Sequence, residues 1–279
     1  MLDTSSGIHA LFWLGVEALY NDFIPIVRHF PSNEDIIIYP ISDLHIGAQE
    51  ALIKEWEAFK NKLKQEPNSY ITIAGDMMNN GLKNSKTNVY YETMPPREQK
   101  KWLAEQLSDI KDKILCVVPG NHECRSEREA DDNPLYDVCC KLDIEDIYRE
   151  NGAFLILRIG KTNGSGLKNP TYTGCVVHGA GGGMFTGAAV NRNEHFAYIF
   201  DGLDFLIVGH SHKPLNTTPT KIVIDPQNKK VSEKPFKVII STAWLGYGGY
   251  AFRKQMRPVS HVLTELKLAG TKKEMRVTQ

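Results

Sequence analysis

The sequence predicts a mixed α/β fold in which two mixed β-sheets form a sandwich flanked by helices. Three observations predict it. Short apolar, β-like runs end again and again in clusters of Asp, His and Asn. In the first half these runs alternate with amphipathic helical patterns, which implies a right-handed parallel βαβ core. In the second half strand follows strand, with turn signals between and little helix.

The elements follow in order. Ile8 to Phe23 is apolar but carries His9, Glu17 and Asp22, and it lacks a basic leader and a cleavage site. It is shorter than the roughly 20 apolar residues a span requires. Ile8, Leu11, Phe12, Gly15 and Leu19 share one helical face, so residues 1–30 are expected to form a helical or extended N-terminal extension. Ile36 to Ile41 reads as a strand closing on Asp43-Leu44-His45. Leu52, Trp56, Phe59 and Leu63 recur at helical steps, so Glu50 to Leu63 reads as a helix. Ile71 to Ala74 is a strand ending in Gly75-Asp76 and Asn79. Asn79 to Pro95 is a polar loop, long for a βα connection, and such loops more often carry function. Pro96 opens a second helix with Trp102, Leu103, Leu107 and Ile110 inward. Ile114 to Val118 is a strand ending in Gly120-Asn121-His122-Glu123.

Beyond it, Ala153 to Ile159, Tyr172 to His178, Phe205 to Val208, Lys221 to Asp225, Phe236 to Ser241 and Val259 to Leu268 read as strands. Asn191 to Phe200 reads as the only helix there, and Lys161 to Asn169 and Pro226 to Lys230 as turns. Residues 214–279 are expected to complete the sandwich. No repeat, low-complexity tract or flexible linker divides the chain, so residues 1–279 read as one domain.

Composition narrows the function. Lys plus Arg and Asp plus Glu number 33 each, so the formal net charge is zero. That excludes a strongly basic nucleic-acid coat but not a local basic patch. Five cysteines, with Cys139 beside Cys140, fit reduced thiols in a cytoplasmic protein. Cys124 lies close to His122, but the motif around it already supplies enough nitrogen and oxygen donors. No segment suits a membrane, no P-loop pattern is present, and nothing in the sequence fixes an oligomeric state.

Five strands therefore deliver Asp, His and Asn to their carboxyl ends, the edge where α/β sheets bind ligands. The residue types suit a pair of hard-to-borderline metal ions. In a regular strand residues i and i+2 share a face, so Asp43 with His45, and His210 with His212, are each expected to point into one site. Five of the nine histidines fall inside the ordered motifs. His9, His29, His195 and His261 lie outside them and read as ordinary histidines.

The ordered set Asp43/His45, Asp76/Asn79, Asn121/His122/Glu123, His178 and His210/His212 resembles the calcineurin-like metallophosphoesterase superfamily. Its pattern is D-x-H, G-D-x-x-[D/N], G-N-H-[D/E], a lone His and G-H-x-H. The match runs from about Ile36 to Lys213. The text around Met77-Met78-Asn79-Asn80, Met94-Pro95-Pro96 and His178-Gly179-Ala180 resembles a phage and prophage branch. The resemblance implies a four-layer α/β/β/α sandwich and two divalent metal ions, with Mn first and Fe, Zn, Co or Ni as alternatives. It implies that Asp43, His45 and His212 hold one ion, that Asn121, His178 and His210 hold the other, and that Asp76 bridges them. A metal-bridging hydroxide would attack the phosphoester.

The resemblance also implies that His122 protonates the leaving oxygen. In many relatives an Asp at the position of Asn79 orients that histidine; Asn79 is expected to accept the ring's hydrogen bond without supplying charge. Asn80 stands where protein phosphatases often carry a phosphate-gripping Arg. Asn80, Lys83 and Arg125 are therefore the candidate substrate-facing residues, with Lys86 nearby. The glycine run after His178 offers exposed N–H groups for a phosphate.

A phosphodiesterase or nuclease is the favoured reading. Lys83, Lys86, Tyr90 and Tyr91, and the segment Tyr247 to Arg257, offer cations and aromatic faces to nucleic acid. The alternatives are a small-molecule phosphomonoesterase and a non-catalytic binding scaffold.

Overall fold

The computed structural model describes residues 21–83, 85, 89–161, 169–181 and 185–279. The expected N-terminal helix, Lys86 and part of the glycine run lie outside the described residues. In chain order the strands are β1 (Ile26–Phe30), β2 (Ile36–Ile41), β3 (Ser69–Ala74), β4 (Ile114–Val118), β5 (Ala153–Ile159), β6 (Thr171–Val177) and β7 (Phe205–Val208). There follow β8 (Leu215–Thr217), β9 (Thr220–Asp225), β10 (Lys230–Pro235), β11 (Lys237–Ile240), β12 (Glu265–Leu268) and β13 (Met275–Thr278). The helices are α1 (Ile53–Gln65), α2 (Pro96–Ser108), α3 (Cys124–Ala130), α4 (Pro134–Leu142), α5 (Thr186–Ala197) and α6 (Gly249–Arg253).

Two mixed sheets form the body. One has the order β13-β12-β2-β3-β4, and the other β1-β5-β6-β7-β11-β8. β2, β3 and β4 run parallel, linked by α1 and α2. One continuous apolar cluster joins the sheets, with Ile38, Ile71 and Ile73 from the first and Leu155, Leu157 and Ile207 from the second. β7 shows why its four-residue apolar run needs two covered faces. Phe205 and Ile207 enter the inter-sheet core, while Leu206 and Val208 pack outward with Ala197 of α5. On the other side Tyr39 meets Phe59 of α1 edge to face at 5.2 Å. The layers are thus helix, sheet, sheet, helix.

Several boundaries differ from the sequence expectation. α1 starts at Ile53 because residues 50–52 are tied to the chain's later part: Leu52 N–H donates to Trp244 C=O at 2.8 Å, and Gly246 N–H to Glu50 C=O at 2.7 Å. Residues 26–30, expected within the extension, form β1 and pair in parallel with β5. Val259 to Leu268 is strand only from Glu265, because β12 meets β2 only at Leu266 to Leu268. The helix expected at 191–200 begins earlier, at Thr186, and α6 is a second helix in that half. β9 and β10 form a hairpin outside both sheets. α3 and α4 were not expected. α4 carries a legible start signal: Asn133 caps it, accepting from Tyr136 N–H at 3.1 Å, and Pro134 follows. α3 is short and charged, with no apolar stripe to find.

Candidate metal centre

The carboxyl ends of β2, β3, β4, β6 and β7 converge, and Asp43, His45, Asp76, Asn121, His178, His210 and His212 meet there. The way they point inward is not strand alternation. Asp43, His45, Asp76, His210 and His212 all have φ between 48° and 64°, in the left-handed region. Asn80 has φ 46°, so six of the ten non-glycine residues with positive φ, among the described residues, belong to this site. A left-handed histidine costs about 1–2 kcal/mol, so the surrounding contacts must hold these bends. They do so through backbone bonds between loops: Asp43 N–H donates to Gly75 C=O and His45 N–H to Asp76 C=O, both at 2.9 Å. Gly75 and Gly120 lie so close that a Cβ on Gly75 would sit 2.3 Å from Gly120 N. The third and second motifs touch through this pair, which places Asp76 beside Asn121 and His122.

Two donor groups share one end of the cleft. Asp43, His45 and His212 form one, and Asp76, His178 and His210 the other; Asp76, His45 and His122 also lie close enough to form a group. Imidazole nitrogens face each other within the groups. His45 Nε2 is 3.3 Å from His212 Nε2, and His178 Nε2 is 3.1 Å from His210 Nδ1 and 3.1 Å from Asn121 Oδ1. His178 donates from Nδ1 to Ala74 C=O at 2.7 Å, which aims Nε2 at the cleft. Asp43 Oδ2 accepts from His210 N–H and Ser42 Oγ–H. Asp43 Oδ1 is buried and lies 3.1 Å from His212 Nε2 without a well-formed hydrogen bond. A buried carboxylate oxygen without a well-formed hydrogen bond, amid converging imidazoles, fits a cation.

The electrostatics agree. Burial alone would raise the two carboxylates. His212 and His178 nevertheless bring Asp43 down to about 2, and His178 with its neighbours holds Asp76 well below the carboxylate range. Burial opposes a charge on the histidines, yet His178 rises to about 10 beside Asp76, and His212 rises beside Asp43. The centre demands positive charge. His45 and His210, where burial dominates, are lowered.

Glu123, the last residue of the third motif, is buried behind the site. Its Oε2 accepts from Asp76 N–H at 2.9 Å and Gly120 N–H at 2.8 Å, and Oε1 from Met78 N–H at 2.9 Å. It holds the Asp76 loop in place. Burial pushes it up to about 7. Cys124 stands outside the donor groups, its thiol pushed by burial to about 12.

His122 lines the cleft, and Asn79 does not orient it in the expected way. His122 Nδ1 donates to the Asn79 backbone carbonyl at 2.8 Å. The Asn79 side chain instead donates to Glu92 Oε1 at 2.8 Å. The expected contact between the Asn79 side chain and the ring is therefore corrected: the half-buried Glu92 carboxylate draws the amide away. Glu92 also takes Gln99 Nε2–H at 2.8 Å. His122 Nε2, the free nitrogen, is 3.8 Å from Asp76 Oδ2, and burial holds the ring below the ordinary imidazole value.

Asn80 is also corrected. It is 2% exposed and donates to His122 C=O at 2.8 Å and Ser126 Oγ at 2.7 Å, so it braces the loop and cannot reach substrate. Lys83 is exposed and does not line the cleft. Arg125 does line it and donates to the Asn79 carbonyl at 3.2 Å.

The cleft is a cavity of about 640 Å³. Its far wall comes from residues 243–261 and includes Tyr247, Arg253, Arg257 and His261. In the sequence His261 reads as an ordinary histidine. No motif signals it, because only folding carries the C-terminal loop across the cleft.

Residues 37–214 match the family model described as calcineurin-like phosphoesterase. The chain belongs to that family. Among curated proteins it is similar to the DNA polymerase II small subunit of Archaeoglobus fulgidus, 31% identical over 136 residues, 41% of this chain and 25% of that protein. The DNA polymerase II small subunit of Halobacterium salinarum is 31% identical over 101 residues, 35% of this chain and 20% of that protein. The chain thus spans a quarter or less of the length of these relatives. Among solved structures, a metallophosphoesterase from Sphaerobacter thermophilus is 14% identical, covering 88% of this chain and 89% of that one, at a TM-score of 0.39. A conserved uncharacterized protein from Streptococcus pneumoniae is 11% identical, covering 88% and 97%, at a TM-score of 0.33. Among the described residues no helix is long and apolar enough to cross a membrane.

Proposed function

We propose that this family member is a metal-dependent phosphoester hydrolase, specifically a phosphodiesterase that acts on nucleic acid or its fragments, built as one domain of the phage and prophage type. The observation that carries the reading is the two-sided cavity. His45, Asp76, Asn121, His210 and His212 of the donor set line a cavity of about 640 Å³, and residues 243–261 line it as well. A monoester needs room for one organic group beside phosphorus, and a diester needs room for two.

Asp43, His45 and His212 would hold one divalent ion, and Asn121, His178 and His210 a second, with Asp76 between them. Mn is the first candidate, since a nitrogen- and oxygen-rich set of this kind accepts several first-row ions. Such a pair lowers the pKa of water and neutralises charge on phosphate oxygens. The chain's own residues do the rest. His122, with Nδ1 fixed by the Asn79 carbonyl, presents Nε2 to the cleft as the proton donor to the leaving oxygen. Arg125 meets a non-bridging phosphate oxygen from the same side. The far wall, with Tyr247, shields the site and packs the second ester group. The name of the curated relatives, DNA polymerase II small subunit, supports a nucleic-acid substrate.

The test is the ratio of specificity constants for bis-p-nitrophenyl phosphate and p-nitrophenyl phosphate with Mn supplied, joined by cleavage of short single-stranded DNA at low salt. The diester is expected to be preferred. A monoester preference without oligonucleotide cleavage would overturn the reading. It would favour a phosphomonoesterase, the second reading, for which Arg125 in the cavity is the supporting observation because a guanidinium suits a dianion.

A further inference from the structure

Every residue of the donor groups lies within the family-matched segment 37–214, but the wall that faces them does not. It is the loop and short helix over 243–261, pinned at its start to the centre, where Trp244 N–H donates to Asp43 C=O at 3.0 Å. At its far end Tyr247 Oη–H closes the loop on Met256 C=O at 2.8 Å. This wall brings Arg253 and Arg257 to the cavity, and Lys213, directly after His212, joins them from the strand side. Arg253 and Arg257 form no ion pair with a carboxylate among the described residues; the Arg257 guanidinium lies 5.0 Å from the Phe185 ring centroid. Lys213, Arg253 and Arg257 line the same cavity, with Glu50 the carboxylate packed against Gly249 of this wall. Like charges that share a cavity gain from an anion placed between them. They lie outside the donor groups assigned to the metals, so the anion they suit is a second one.

We infer that Lys213, Arg253 and Arg257 form a phosphate subsite that binds the phosphate next to the scissile one on the same substrate. The substrate class is a chain with successive phosphates. Tyr247, half-exposed in the same wall, offers its ring to the nucleoside between the two phosphates. This inference rests on the diesterase reading for what happens at the metals, but the subsite itself is a binding property. A nucleic-acid strand and a dinucleoside polyphosphate share this chemistry, and competition separates them.

The experiment is fluorescence anisotropy of the metal-loaded protein with a labelled phosphorothioate oligothymidylate, which resists turnover, across a salt series. Competitors are thymidylyl-thymidine, the same dinucleotide with a terminal phosphate, and diadenosine tetraphosphate. The terminal phosphate is expected to improve competition by about three- to tenfold, the range for partly exposed charge pairs. Arg253→Gln with Arg257→Gln should abolish that advantage. The double variant should also flatten the slope of log K against log salt by about 0.7 per lost contact. Arg257→Lys should keep most of the slope, because charge and not shape sets it. Both arginines are exposed, so these variants should fold. Stronger competition by the terminally phosphorylated dinucleotide assigns the subsite to a nucleic-acid strand, and stronger competition by the tetraphosphate to a polyphosphate. A terminal phosphate that confers no advantage on the wild type, or one that survives in the double variant with an unchanged salt slope, would overturn the subsite. Failure of the diesterase reading is recognised separately, by a monoester preference in the chromogenic assay.

Discussion

The two walls of the cavity are built in opposite ways. The donor wall is over-determined, with Asp43, His45, Asp76 and His178 buried, His210 and His212 partly buried and Asn121 exposed. Its strained left-handed bends are held by hydrogen bonds between loops, and Glu123 alone anchors three backbone N–H groups. The opposite wall, residues 245–261, is mostly exposed and contains only the short helix α6. The difference teaches where chemistry and selection sit. Charged groups that must keep their geometry need a low-dielectric, fully bonded setting. Groups that choose among substrates can stand at the rim, where a substitution changes affinity and leaves the fold alone.

The comparison breaks most sharply at Asp76. Asp76→Ala is expected to remove one of two metal equivalents, weaken the other, and lower turnover by more than the roughly 10²–10⁴-fold that one acid–base group contributes. Elemental analysis and assay on the same preparation check this; a harmless substitution would remove the bridging assignment. Next comes His122→Asn, expected to retain metal and lower turnover by roughly 10²–10⁴-fold, most for poor leaving groups. A loss equal across leaving groups would reduce His122 to a positioning role.

Glu92→Gln should have a smaller effect, about 10-fold, since it reaches His122 only through Asn79. Its cost should largely vanish in the His122→Asn background; full additivity in that double-mutant cycle would separate Glu92 from the imidazole. Asn80→Ala is expected to act on stability, by about 1–3 kcal/mol for the lost buried hydrogen bonds, with KM for a diester near wild type. Thermal denaturation and a KM measurement decide it: a raised KM with unchanged melting would return Asn80 to the substrate. The rim substitutions at Arg253 and Arg257 complete the series with the smallest effect, on affinity alone.

Much of the donor wall was legible in the sequence. Each metal-directed residue follows an apolar run, and β2, β4, β5 and β7 fall where those runs predict. Adjacent strands in a sheet bring their ends together, so an ordered series of polar clusters at strand ends already implies a meeting place. The details of contact were less legible. Asp43 and His45 read as a strand pair, but both bend into the left-handed region. Asn79 read as the partner of His122 by its side chain, but Glu92, distant by a long loop, takes that amide. Asn80 read as facing substrate, but Gln99, Ser126 and the His122 carbonyl enclose it.

The sequence by itself determined the layered α/β class, the strand ends that carry the donors, and the kind of chemistry those donors suit. It could do so because apolar periodicity and motif order are local properties of the chain. Only the tertiary structure decided which atom orients His122, which asparagine is buried, and which residues share the cavity with the donor groups. Those are long-range facts. Residue 92 reaches residue 79, and residues 243–261 return to strand ends passed some two hundred positions earlier, through contacts that no spacing along the chain encodes.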